Sequence, residues 1–405
     1  MRISNLRIED RNDGRSYLTV DVECGFSEST SLWFSVDRKY KNWLTDDVYD
    51  AFLITSLYPA QFYGEKIQIE GNVSPHIYHN VVNYVPAIIT AYNETKSLTK
   101  EDIQVDGLKT AFQSEEARIG TGFSGGVDSF STIHDHLLHE ADESRRLNTI
   151  FFFNIGQNGK IDDPDTQKRV AIRWEIARKV SEELRIEAVM MDSNIFEFYK
   201  PHWEYDAGIF CRIASILVFQ RNLKRYYVSS ALSYSESYHM TGNGRHIDMT
   251  SMCELYIVGM LSSEKCEIIL DGAQYYRSDK VRMITDLPIA HKYLNVCVNY
   301  DPKFLTENCG ECTKCLRTAL SLEILGKLDL FSSVFDVAKI RKILPNYLKY
   351  QMGLTDTDPF AADNIALAKK TGYTLPGAID MAAYKTRRFL RHLILSLKYR
   401  LNLNR

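Results

Sequence analysis

The chain is 405 residues long, enough for two or three domains. Its hydrophobic content of 45% and charged content of 25% are those of an ordinary soluble globular protein. The net charge of −3 gives no general case for a nucleic-acid-binding or membrane-binding protein. The first residues, Met1-Arg2-Ile3-Ser4-Asn5, lack the apolar core of a signal peptide, and no run approaches the ~18 uninterrupted apolar residues of a membrane span. The expected compartment is therefore the cytoplasm. Eight cysteines in a chain of this size do not suggest a disulfide scaffold; their uneven spread matters more than their number.

Residues 1–115 read as an α+β module. Asn12-Asp13-Gly14 is a turn, and Ser16 to Cys24 alternates as a strand, with Tyr17, Thr19 and Asp21 against Leu18, Val20 and Val22. Ser31 to Val36 predicts a second strand and Lys66 to Glu70 a short third one. Asp46 to Leu57 and His76 to Tyr92 have helical spacing. No arrangement of residues here has evident chemistry, so a structural or partner-docking role is the expectation.

From Arg118 the pattern becomes strand–helix alternation. Ile119 to Phe123 predicts a strand and Phe130 to His139 a helix. Thr149 to Ile155 is a strongly apolar strand, Asp165 to Leu184 a helix, and Ile186 to Met191 a strand. Ile209 to Gln220 is apolar all round and predicts a buried helix. Tyr226 to Ser229, Met249 to Leu261 and Glu267 to Leu270 predict strand, helix and strand in turn. Such alternation predicts an α/β fold, a parallel sheet with helices on both faces and ligands at the carboxyl ends of its strands. Residues 327–405 are mostly helical in pattern. Within them Lys385, Arg387, Arg388, Arg391, Lys398, Arg400 and Arg405 occur without an acidic residue, and Leu390, Leu393, Ile394, Leu397 and Leu401 recur at helical spacing. That favours a helix packed by its leucine face with a solvated basic face over a helix that binds RNA, anionic lipid or an acidic partner.

The strand at Ile119 and the helix at Phe130 flank Ser124-Gly125-Gly126-Val127-Asp128-Ser129. Two glycines let backbone approach an anion, and the N–H groups at a helix start face it. Ser124, Asp128 and Ser129 add groups that can hold phosphate oxygens or a magnesium ion (Mg2+). No Gly-Lys-Ser/Thr follows, so this is not a Walker A loop. It resembles the PP-loop of the ATP pyrophosphatases, which bind ATP and expel pyrophosphate.

A second constellation is Cys309-Gly310-Glu311-Cys312-Thr313-Lys314-Cys315, with Cys297 upstream. Two C-x-x-C steps and a fourth thiol suit a tetrahedral thiolate site for zinc (Zn2+), with an iron–sulfur cluster as the rival. Four sulfurs leave the ion no open position, so its role is structural. Cys24, Cys211, Cys253 and Cys266 are isolated and read as core or surface thiols. His134, His136 and His139 fall on what reads as the surface of their helix, with no nucleophile motif beside them.

A PP-loop followed by a four-cysteine cluster is a narrow combination, and over about residues 118–326 the chain resembles the 7-cyano-7-deazaguanine synthase (QueC) family. Where that family has Tyr-Gly-Gln, Ile155-Gly156-Gln157 follows Asn154. Its Ser/Thr-Lys step appears as Ser278-Asp279-Lys280, with one extra residue, and its Cys-Gly-x-Cys-x-x-Cys-x-x-Arg end as Cys309 to Arg317. The spacer from Cys297 to Cys309 is longer than the family's, and Ala207-Gly208-Ile209 stands where the family has Gly-Arg-Asn. The resemblance implies three regions: 1–115, a PP-loop domain over 116–326 that includes the cysteine cluster, and 327–405. It implies an ATP-dependent, C–N bond-forming ligase, with ATP, Mg2+ and Zn2+ as cofactors and a homodimeric state. A carboxylic acid, 7-carboxy-7-deazaguanine or a relative, becomes an acyl-adenylate with loss of pyrophosphate, and an amine receives the acyl group. The amine is ammonia in the parent family and, in this longer chain, ammonia or a peptide or protein amine. Longer QueC-like proteins of this kind occur in bacterial anti-phage systems and surface-polysaccharide gene clusters. On the same resemblance Ser124, Asp128 and Ser129 are the catalytic candidates. The Ser124–Ser129 loop, Gly156, Gln157 and Lys280 are candidates for nucleotide or substrate contact. Gln157 reads equally as a loop residue bonded to backbone, and Lys280 as a solvated lysine near a helix start that Ser278 caps. Arg317 pairs with a phosphate or caps the zinc loop. Two rival readings are a tRNA-modifying PP-loop enzyme and a non-catalytic ATP-binding subunit of a defence complex.

Overall fold

The computed structural model describes residues 1–93, 96–199, 208–237, 254–299 and 301–387. The chain divides into two compact units, Met1–Tyr276 with Tyr293–Asn295, and Arg277–Lys292 with Val296–Arg405. The boundary expected near residue 115 falls inside the first unit, and that near 326 inside the second.

The first unit holds one ten-stranded sheet. Its strands are β1 (Arg2–Asp10), β2 (Arg15–Glu23), β3 (Ser31–Asp37), β4 (Ile67–Val73), β5 (Ile103–Leu108), β6 (Arg118–Gly122), β7 (Thr149–Asn154), β8 (Glu187–Ser193), β9 (Leu223–Ser229) and β10 (Glu267–Asp271). They lie in the order β10-β9-β6-β7-β8-β3-β2-β1-β4-β5. From β10 to β8 every pairing is parallel. The strands β3, β2 and β1 continue the sheet antiparallel, and β4 and β5 are again parallel to their neighbours. The fold is thus α/β with a mostly parallel sheet. The N-terminal strands extend that sheet because β3 pairs with β8, Phe34 opposite Ser193 and Val36 opposite Met191.

The helices of this unit are α1 (Asp50–Tyr63), α2 (Pro75–Asn83), α3 (Val85–Asn93), α4 (Val127–Ile133), α5 (Pro164–Leu184), α6 (Phe196–Tyr199) and α7 (Gly208–Leu217). Strand alternation shows that they cover both faces. Phe151 and Phe153 of β7 meet Phe219, just beyond α7, at 5.0 and 6.3 Å between ring centres. Phe152, between them, meets Trp174 of α5 at 6.3 Å on the opposite face. The helix α7 packs on α1, and its Ile209, Phe210, Ile213, Ile216 and Leu217 are fully buried. Each such side chain contributes about 1.5–3 kcal/mol relative to exposure. On β6 a side chain at Gly120 would meet the Phe151 ring at 2.5 Å, so the small residue lets the neighbouring aromatic close over the strand.

The run His76 to Tyr92 forms two helices rather than one. They break at Tyr84, because Pro86 lacks an N–H, clashes with the preceding turn and restricts Val85 before it. The helix expected from Phe130 begins earlier, at Val127, and continues from His134 to Leu138 as a π-helical turn. Of the run Met249 to Leu261, residues 249–253 lie outside the described residues; 254–257 are helical and Gly259–Leu261 is a 3-10 turn.

The second unit is helical: α8 (Arg277–Ile284), α9 (Pro288–Tyr293, its last residue in the first unit), α10 (Thr313–Ile324), α11 (Val337–Met352) and α12 (Pro359–Thr371). The helices α10, α11 and α12 pack on one another, with Leu320, Leu344, Leu348 and Leu367 buried. The basic segment Lys385 to Arg405 lies outside the described residues from 388 onward. Among the described residues no helix is long and apolar enough to cross a membrane.

Candidate functional site

In the parallel half of the sheet the chain runs from β6 outward through β7 to β8, then returns to lay β9 and β10 on the other side of β6. The order reverses between β6 and β9, and a crevice opens outside the carboxyl ends of strands at such a point. The segment leaving β6 there is Ser124–Ser129. Gly125 has φ of +75°, a left-handed conformation that strains any other residue. The N–H of Asn295 donates to its carbonyl at 2.8 Å and fixes the turn. Gly126 stands at the N-cap of α4 and has no side chain to cap it, and its own N–H donates to Ser124 Oγ at 3.4 Å. Ser124 is exposed and Asp128 half-buried. Ser129 is buried, its hydroxyl donating to the Gly126 carbonyl at 3.0 Å. The loop therefore offers an anion a helix start, an exposed hydroxyl and a half-buried carboxylate able to hold a cation.

At the end of β7, Asn154 Nδ2 donates to Asp192 Oδ1 at 2.7 Å, and Arg15 pairs with Asp192 Oδ2 at 2.7 Å. Burial pushes the Asp192 carboxyl up, opposed by Arg15 and Asn154. Gly156 is half-buried. Gln157 turns back on its own loop: Oε1 accepts the Ile155 N–H at 3.1 Å, and Nε2 donates to the Phe153 carbonyl. Its amide makes the backbone bonds of an ordinary turn.

Lys280 lies on α8 in the second unit and is fully buried, not solvated. Ser278 does not cap that helix from outside. It sits within the first turn, its N–H and hydroxyl donating to Asp363 of α12 at 2.7 and 2.6 Å. The Arg317 guanidinium lies 3.9 Å over the Phe360 ring, a cation–π contact.

Cys297, Cys309, Cys312 and Cys315 place their sulfurs within 4.8 Å of one another. Gly310 has φ of +69°, and this left-handed step turns the chain so that Cys309 and Cys312 face the same point. The N–H groups of Glu311 and Cys312 point at Cys309 Sγ at 3.4 and 3.3 Å, and that of Asn299 at Cys297 Sγ at 3.4 Å. Asn308 ties the two loops together, accepting from the Val296 N–H at 2.8 Å and donating to the Val334 carbonyl at 3.1 Å. The bond between Cys315 and Cys312 pushes the Cys312 thiol down to about 4 and, with burial, the Cys315 thiol well up. So close a set of thiols cannot all ionise unless a cation neutralises them. Three are buried and Cys312 is half-buried, and this soft donor set fits a metal ion such as zinc. Of the isolated cysteines, Cys211 and Cys266 are buried and Cys24 is half-buried, while Cys253 lies outside the described residues.

His136 does not lie on the helix surface. Its side chain is 18% exposed, stacks on Tyr227 and reaches Asp271 Oδ1 at 2.8 Å. The π-helical turn at His134 alters the spacing on which a surface assignment rests; the i, i+4 relation of His136 to Thr132 is the signal that could have found it. Comparison with protein-family models, with curated proteins and with solved structures found no match for this chain.

Proposed function

We propose that the chain is a PP-loop, QueC-like enzyme that activates a carboxylic acid with ATP and transfers the acyl group to an amine. The observation that carries this reading is the position of Ser124–Ser129 at the point where the strand order reverses, with a left-handed glycine and a helix start whose N-cap is itself a glycine. A carboxylate oxygen attacks the α-phosphorus of ATP, the bond to the bridging oxygen breaks, and pyrophosphate leaves. The amine nitrogen then attacks the acyl carbon, AMP leaves, and the amine's proton passes to solvent. The chain's part is positioning and charge neutralisation. Backbone N–H groups of the loop and the Ser124 hydroxyl would take the departing phosphates, and Asp128 would hold a magnesium ion. Magnesium, when bound, offsets the charge that develops on pyrophosphate. Cys297, Cys309, Cys312 and Cys315 would hold a zinc ion that braces the second unit and, with all four positions taken by sulfur, would take no part in the reaction.

The test is pyrophosphate release from ATP with and without 7-carboxy-7-deazaguanine. Stimulation by the acid is expected. Folded, zinc-loaded protein that shows none has a different acid as its substrate; ATP binding without turnover on any acid, with tight binding of a protein partner, would support a non-catalytic subunit instead.

A further inference from the structure

Asp271 ends β10 and is 6% exposed. Two successive turns of the helix behind the Ser124–Ser129 loop grip its carboxylate. Thr132 Oγ1 donates to Oδ2 at 2.6 Å, and His136 Nε2 lies 2.8 Å from Oδ1. Residues four apart share one helix face, here the face turned to the sheet. The His136 ring lies flat on Tyr227 of β9, 3.7 Å between centres and 10° from parallel. Thr132 Oγ1 is also 2.9 Å from Ser229 Oγ at the end of β9. The backbone carbonyl of Asp271 accepts the N–H of Ser230, the first residue beyond β9, at 2.8 Å. Asp271 is thus bonded both to the helix that follows β6 and its loop and to the segment leaving β9, and the sheet order reverses between β6 and β9.

A buried carboxylate is a costly means of holding a helix to a sheet, since an apolar contact would stabilise the fold at least as well. What it adds is direction: two bonds to one rigid group fix both the height and the rotation of the helix. We propose that Asp271 is a positioning residue for the Ser124–Ser129 loop, acting through Thr132 and His136. It sets the direction in which the N–H groups at the start of α4 point. The inference rests on the reading of that loop as the phosphate site.

The experiment uses the full chain and three variants. Thr132→Val removes the hydroxyl at nearly constant shape, Thr132→Ser keeps it, and Asp271→Asn removes the charge. Affinity for MgATP, amide hydrogen exchange at residues 125–129 and the thermal midpoint are measured for each. Thr132→Val and Asp271→Asn should weaken MgATP binding about tenfold, the scale of one lost hydrogen bond. They should speed exchange at 125–129, while Thr132→Ser stays near the wild type and thermal midpoints stay within a few degrees. Unchanged affinity and exchange in Thr132→Val overturn the proposal. So does a loss shared by Thr132→Ser, or faster exchange throughout the sheet, since either reports packing rather than direction. If the wild-type chain binds no MgATP, the phosphate reading fails, and exchange at 125–129 still decides whether Asp271 positions the loop.

Discussion

The two candidate sites are made from different parts of the polypeptide. The Ser124–Ser129 loop is largely a backbone site. Its shape comes from the end of β6, a glycine at φ +75° and the bond from Asn295, and Asp128 is its one ionisable side chain. The cluster at Cys297, Cys309, Cys312 and Cys315 is a side-chain site, four sulfurs within 4.8 Å whose charges repel. The first can hold its shape without a ligand, because the end of an internal strand, paired on both sides, sets it. The second would have a metal ion, where it binds one, as a structural member. Loss of the ligand should therefore silence one site and unfold the other.

The largest expected effect breaks the second site. Chelation at neutral pH, or Cys309→Ser, should remove much of the second unit's stability, against an apparent zinc contribution on the order of 10–16 kcal/mol in small zinc domains. The first unit should keep its own transition. Elemental analysis should find about one zinc per chain, in keeping with four thiolates closing one tetrahedral site; iron with acid-labile sulfide would break that assignment. Next come Ser124→Ala and Asp128→Ala. Each should lower pyrophosphate release by about a hundredfold, as loss of a preorganised charge-stabilising group does, with the thermal midpoint within a few degrees of the wild type. A collapse of stability instead would make the loop structural and erase the contrast.

The smallest effect sharpens the contrast by showing that the first unit has its own proton linkage. Asp50 is fully buried, and burial pushes its carboxyl up to about 6 against hydrogen bonds from the Ser74 N–H, the Ser74 hydroxyl and Gln220. The folded value lies above the ~3.9 of an unfolded chain, so the contribution is complete below about pH 4 and is lost as pH rises through about 6. Asp50→Asn should remove that slope. From pH 4 to pH 7 its denaturant stability relative to the wild type should improve by on the order of 2 kcal/mol, in the first unit's transition only. A difference independent of pH would mean that Asp50 does not titrate there.

Local pattern made some of this legible. All six residues of β7 are buried, and the apolar run Ile150 to Phe153 at its centre records that directly. The strand β1 carries no clear pattern in sequence, because Asn5 at φ +57° and a register shift between Ser4 and Arg7 break its period of two. The strand β5 buries one residue, Ile103, too little for a signal. The loop and the four cysteines could be read from residue types and spacing. The burial of Lys280 and the carboxylate that Thr132 and His136 share, Asp271, depend on tertiary contacts that spacing does not encode, while the turn that occupies Gln157 is made by bonds within its own loop.

The antiparallel joint between β3 and β8 has a cost in time. It closes across 160 residues of chain, as in the bond from Ser193 to the Trp33 carbonyl. At roughly 5–20 residues per second of synthesis, β3 waits about ten to thirty seconds for its partner strand. Through that interval Phe34 and Val36 sit on an open strand edge, the kind of surface that pairs with other chains. Ribosome pausing before residue 187 would lengthen the interval, so the yield of folded chain should depend on translation speed there more than anywhere after it.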